Sequence, residues 1–198
     1  MPFGAPPPPD LRPEAGLILL RLARAVVGAA ASRRAASIDL SAVLPPDLPP
    51  CLVSPAAAFV TLHRGNELRG CVGSLDAGRA LWRNVASAAV SAAHDPRLVP
   101  VTESEVPALS IDVSALGPVV PLADPTAFQP GLDGLIVERD GWRGLLLPEV
   151  ATEHGWDVVD MLEGTCWKAG LPADAWRDEH TQVSAFRTAR VSENGSMA

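Results

Sequence analysis

Apolar and polar positions change period several times along this chain, and each change marks an element. Leu19, Leu22 and Val26 recur at helical spacing behind Pro13 and Glu14, with Leu17, Leu20, Arg24 and Val27 along one edge, which predicts a helix over about 14–34. Proline at its start has no amide hydrogen to leave unsatisfied, Glu14 complements the N-terminal dipole, and Arg33 and Arg34 suit the C-terminal end. Residues 45–55 carry five prolines and read as an extended connection without helix. Ala58 to Leu62 and Leu68 to Leu75 then form a hairpin about a turn at 64–67. Leu81, Val85, Ala88 and Ala92 give a second helix over about 79–93, stopped by Asp95-Pro96.

The period then shortens. Leu109, Ile111 and Val113 alternate with Ser110, Asp112 and Ser114, a half-buried strand over 109–116. Prolines 118, 121, 125 and 130 exclude regular structure just after it. Gly134 to Glu138 and Arg143 to Leu147 flank Asp140-Gly141 as a second hairpin. Pro148 opens a helix, a further helix over about 157–169 ends at Gly170, and Gln182 to Ala189 forms a last strand before a polar tail. Hairpins mixed with helices, without regular βαβ repetition, predict an α+β fold with mostly antiparallel pairing.

Composition narrows the class rather than the function. At 198 residues, 47% hydrophobic and 20% charged, the chain can bury its own core without disulfide or metal staples. The formal charge of -7 is unevenly placed: residues 1–100 hold ten arginines against seven acids, and residues 101–198 hold six cations against sixteen acids. That distribution argues against nucleic acid, whose backbone demands a broad positive footprint. The Pro-rich N-terminus lacks the charged start of a signal peptide, and Arg21 and Arg24 interrupt the apolar run at 15–31, so no membrane association is expected. Three cysteines with no close spacing predict no zinc site or disulfide framework and fit a reducing, cytoplasmic setting.

Chemistry concentrates in Leu68-Arg69-Gly70-Cys71-Val72-Gly73. Strand alternation puts Arg69 and Cys71 on one face, where a guanidinium would favour the thiolate. Gly70 and Gly73 would let a ligand or another backbone approach closely. His63, at the end of the preceding strand, is the nearest candidate base, and Arg97 in Asp95-Pro96-Arg97 is a candidate anion contact. Cys166 shares a helical face with Val159 and Leu162 and reads as core; Lys168 suits the last turn of its helix. No motif calls for a cofactor or metal.

The order of these pieces resembles the AMMECR domain family. The matching stretches are Phe59-Val60-Thr61-Leu62, Leu68-Arg69-Gly70-Cys71-Val72-Gly73, Asp95-Pro96-Arg97, Ile111-Asp112-Val113-Ser114, Gly134-Leu135-Ile136, Leu146-Leu147-Pro148, Trp156-Asp157 and Cys166-Trp167-Lys168-Ala169-Gly170-Leu171. The resemblance implies one α+β domain over 13–188, built of two closely packed lobes with an inserted smaller lobe at about 65–107, between a disordered stretch at 1–12 and a mobile tail at 189–198. It also implies the protein A type of the AmmeMemoRadiSam system, with a Memo-like or radical SAM protein as partner in a modification pathway. Asp133 stands where many relatives carry His, and Glu149 where many carry Gln. Two readings stay open. One is an accessory or binding component that holds a partner or small anion with Arg69, Gly70, Gly73 and Arg97; the other is a cysteine enzyme with Cys71 as nucleophile and His63 as base.

Overall fold

The computed structural model describes residues 6–32 and 38–195. Part of the expected N-terminal arm (1–5), the helix end at Arg33 and Arg34, and the last three residues of the tail lie outside the described residues. By its internal contacts the chain divides into two compact units: Pro9–Leu116 with 189–195, and Gly117–Thr188 with 6–8. Residues 65–107, expected to form the inserted lobe, lie wholly within the first unit, because they share its core. The interrupting stretch is 117–188.

In the first unit α1 (Pro13–Ala31) begins at Pro13 with Glu14 in its first turn. Leu19, Leu22, Val26 and Val27 are buried while Leu17 is exposed, so the apolar stripe lies where the periodicity put it. A single helical turn, α2 (Pro50–Val53), occupies the connection expected to be purely extended. Proline at the first helical position lacks only an amide that has no partner in a helix start, so the prolines permit this one turn. Strands β1 (Ala58–Arg64) and β2 (Glu67–Ser74) form the expected hairpin, α3 (Leu81–Ala93) follows, and β3 (Ser110–Leu116) pairs with the other side of β1. Both pairings are antiparallel. Ala58, Val60 and Leu62 alternate inward with Ile111, Val113 and Ala115 across the pair, and this face joins the buried residues of α1 and α3 in one core.

The second unit holds a short strand β4 (Val120–Pro121), the hairpin β5 (Asp133–Arg139) and β6 (Trp142–Leu146), helices α4 (Pro148–His154) and α5 (Val158–Lys168), and the first part of β7 (Gln182–Ser192). Strand β4 falls where the prolines seemed to exclude one; it is two residues long, and Val120 and Pro121 pair with Ala185 and Ser184 of β7. So short a strand can accept a proline. Strand β5 lies between β6 and β7, antiparallel to both. Its turn to β6 has Asp140 and Gly141 at φ of 51° and 83°, the left-handed pair that matches strand twist. Leu135, Val137, Met161, Leu162 and Cys166 are fully buried in the core of this unit, which accounts for Cys166. All strand pairs described are antiparallel and the fold is α+β, as expected.

Two segments expected to be loose are held. Leu11, in the Pro-rich arm, is buried in the first core. Strand β7 continues past Ala189 to Ser192, Val191 is buried against Gly16 of α1, and Arg24 forms a bidentate ion pair with Glu193. Arg24 also donates to the carbonyls of Val106 and Leu109, while Glu193 accepts the amide of Ile111 at 2.9 Å. The tail therefore completes an ion-pair network and an apolar contact, neither of which its polar composition discloses. No described helix is long and apolar enough to cross a membrane.

Helix α5 carries a capping box: Asp157 accepts the amides of Val159 and Asp160, and Asp160 accepts the amide of Asp157. Asp157→Ala is expected to lower stability by about 1 kcal/mol, read as a reduced urea midpoint with unchanged slope.

Candidate functional site

The Arg-Gly-Cys segment lies on β2, and its geometry is set by an irregularity in the hairpin. From Ser74 back to Gly70 the register with β1 is regular, pairing Gly73 with Phe59, Cys71 with Thr61 and Gly70 with Leu62. His63 then faces Leu68, so Arg69 is the additional residue of a β-bulge. The simple alternation that put Arg69 and Cys71 on a common face stops at this bulge. Arg69 donates to Glu105 Oε1 at 3.1 Å and to the carbonyl of Val99 at 3.3 Å, and its side chain is 11% exposed. It anchors the loop before β3. Thr102 supplies both its amide and its hydroxyl to the same Glu105, and these contacts, joined by Arg69, hold the Glu105 carboxyl well below its ordinary pKa.

Cys71 faces away from the helical core. Across the sheet, Thr61 stands opposite both Cys71 and Asp112, so the three form one polar row on that face. The Thr61 hydroxyl donates to Cys71 Sγ at 3.4 Å. Arg190 reaches Asp112 Oδ2 at 2.7 Å, while Asp112 Oδ1 is buried with no hydrogen-bond partner. His63 lies two residues along β1 from Thr61, and among the described residues it makes no hydrogen bond to Cys71.

The edge of β2 at Cys71 is closed by Asp95 and Arg97. Asp95 is only 2% exposed, yet both its oxygens are used: Oδ2 accepts the Cys71 amide at 3.0 Å and Arg97 Nη2 at 2.7 Å, and Oδ1 accepts the Arg97 amide and Nε. Arg97 Nη2 also donates to the Cys71 carbonyl at 2.8 Å. The Arg97 guanidinium, assisted by the amides of Cys71 and Arg97, overcomes burial and holds the Asp95 carboxyl far below the usual carboxylate range. Cys71 and Arg97, both chosen from sequence, thus meet, with the Arg97 guanidinium on the main-chain carbonyl of Cys71.

The two glycines are filled by the protein itself. A Cβ on Gly70 would lie 2.1 Å from the carbonyl oxygen of Ala92, so α3 packs directly on this point of β2. One on Gly73 would lie 2.3 Å from the ring of Phe59. Asp133 is fully buried and accepts the Gln129 amide at 2.9 Å and Arg187 Nε at 3.1 Å, a structural role within the second unit. Lys168 is exposed at the end of α5. Among the described residues no group of three or more His, Cys, Asp or Glu side chains could hold a metal ion.

The AMMECR1 family matches residues 20–191, nearly the full length over which the motifs run. The chain belongs to the AMMECR1 family. A protein of Methanothermobacter thermautotrophicus is 45% identical over 77% of this chain and 83% of its own length. Another from Thermococcus onnurineus is 40% identical over 92% of both chains. The crystal structure of the uncharacterized protein PH0010 from Pyrococcus horikoshii is similar with a TM-score of 0.84 at 38% identity, covering 94% of this chain and 97% of that one. AMMECR1 membership thus spans both units.

Sequence reasoning quoted Asp95 only as the residue before Pro96 and missed that it organises the site; a buried carboxylate between two chosen segments leaves no periodic trace. Asp95→Asn keeps one acceptor oxygen but loses the charge. It is expected to cost about 2 kcal/mol at pH 7. Because the folded pKa is depressed, this contribution is complete above the unfolded carboxylate value and is lost as pH falls toward the folded one. Urea unfolding of both proteins should therefore show a stability gap that is constant from pH 7 down to about pH 5 and shrinks as pH falls through the unfolded carboxylate value of about 3.9.

Proposed function

We propose that this AMMECR1-family chain is a binding or accessory component that holds a partner segment or small anion beside β2, and that Cys71 is not a catalytic nucleophile. One observation carries the reading: both cations expected near the thiol are engaged by carboxylates, Arg69 by Glu105 and Arg97 by Asp95. An activated cysteine needs a base or an uncommitted cation within hydrogen-bond reach. Among the described residues, the hydrogen bond to Cys71 Sγ comes instead from the neutral hydroxyl of Thr61. The wider setting that the motif resemblance supports is a protein- or small-molecule-modification pathway, with a Memo-like or radical SAM protein as the natural partner to test.

The test is alkylation of the full chain by iodoacetamide, in a Cys51→Ser background that removes the other partly exposed thiol. Cys71 is expected to react no faster than glutathione across pH 6–9. Protein recovered from its native source should carry no covalent adduct on Cys71, and Cys71→Ser should retain the wild-type set of co-purifying proteins. A rate enhancement of roughly tenfold or more at neutral pH, expected of a lowered thiol pKa, or an acyl, glycosyl or thioether adduct on Cys71, overturns the proposal in favour of the cysteine enzyme.

A further inference from the structure

The Asp95–Arg97 closure covers only part of the β2 edge. Cys71 directs its amide and carbonyl outward, to Asp95 and Arg97 respectively. The register is regular from Gly70 to Ser74, so Val72 turns inward to β1 and Gly73 presents the next outward-facing amide and carbonyl. At that point an open pocket of about 160 Å³ lies between β2 and α3, lined in part by Gly73, Ser74, Arg79, Asn84, Ser87 and Ser91.

The pocket wall is chemically specific. Asn84 is 6% exposed and spends both amide hydrogens on the carbonyls of Ala56 and Asp76, each at 2.8 Å. Its orientation is thereby fixed and its Oδ1 remains an acceptor. The Ser87 hydroxyl has no hydrogen bond and Arg79 no ion pair among the described residues. Asp76 also lines the pocket, with Oδ1 held by the Gly78 amide at 2.8 Å. Among the described residues Arg79 is thus the one cation on the wall, it lies past the C-terminal end of β2, and unlike Arg69 and Arg97 it forms no ion pair.

We propose that this pocket receives the C-terminal residue of an extended polypeptide, which pairs with Gly73 and places its terminal carboxylate on Arg79. Asp95 and Arg97 occupy the edge at Cys71 and confine pairing to Gly73 and beyond, and the guanidinium of Arg79 past Ser74 selects a chain that ends there with its carboxylate. Arg79 sits beyond Ser74, so the ligand runs parallel to β2 with its carboxylate last and leaves the sheet at the Asp95–Arg97 plug. Edge pairing supplies main-chain hydrogen bonds and the guanidinium reads the negative end, the combination by which sheet edges capture chain termini. This deepens the binding reading and rests on it, since it names the site and the chemistry of the partner.

The probes are N-acetyl-trialanine with a free carboxylate, the same peptide as its C-terminal amide, and acetate, each titrated into the ¹⁵N-labelled full chain and followed by NMR. The free acid is expected to shift the Gly73, Ser74 and Ser87 amides with millimolar affinity, about tenfold tighter than the amide. Exposed Arg79→Gln should erase that difference. Asp76→Asn, which keeps the turn acceptor and removes a nearby negative charge, should tighten the acid and leave the amide unchanged. Equal binding of acid and amide, shifts that avoid Gly73, or acetate binding as tightly as the peptide would each overturn the proposal. These outcomes separate from those at Cys71: failed titrations with an unreactive thiol remove only this pocket, and a hyper-reactive thiol removes the broader reading whatever the peptides do.

Discussion

Everything around the Arg-Gly-Cys strand depends on one buried carboxylate. An edge strand exposes outward-facing amides and carbonyls that must find partners in water, in another strand or in a side chain. At Cys71 the protein meets this demand with Asp95, whose oxygens accept the Cys71 amide and three donors of Arg97, while Arg97 returns a hydrogen bond to the Cys71 carbonyl. Because Asp95 lies two residues past the end of α3, the same contacts hold the end of that helix against β2. The close approach of Ala92 to Gly70 then follows: a helix held this near the strand leaves no room for a Cβ.

This arrangement changes what the motif means. A thiol between two arginines looks, in one dimension, like an activated nucleophile. In three dimensions each arginine has a carboxylate of its own: Glu105 lies 36 residues from Arg69 in sequence, and Asp95, the neighbour of Arg97, lies 24 residues from Cys71. The motif's glycine and its cations are therefore consumed in building the strand's surroundings. The uncommitted groups lie instead toward Gly73 and the start of α3, where Arg79 lines a pocket beside the strand edge and makes no ion pair among the described residues.

Much of the fold was legible because it rests on local rules. The α1 stripe, both hairpins, the Asp140-Gly141 turn and the stop of α5 near Gly170 follow from periodicity, turn chemistry and positive-φ residues. The misreadings have a common physical origin. The boundary at 117–188, the extension of β7 to Ser192 and the burial of Leu11 depend on contacts between segments far apart in the chain. Polar residues such as Glu193 look like tail until Arg24 is placed beside them, and a strand such as β4 looks impossible until its two residues find β7.

The site was legible to the same degree and failed for the same reason. Cys71, Gly70 and Arg97 do lie together, and Arg69 is adjacent in sequence, yet the bulge at Arg69 breaks the alternation from which its role was argued. A bulge shifts every side chain beyond it relative to a regular ladder, so spacing alone could not say which cation faces the thiol. The row Thr61, Cys71 and Asp112 required β3 to pair with β1, a choice no local pattern encodes. Charge shows the point most directly: the surplus of arginine in the first hundred residues suggested an anion-seeking surface, but Arg24, Arg69 and Arg97 are each satisfied by a carboxylate within their own unit. The informative quantity is the arginine left over after such pairing, and on the wall beside β2 that residue is Arg79.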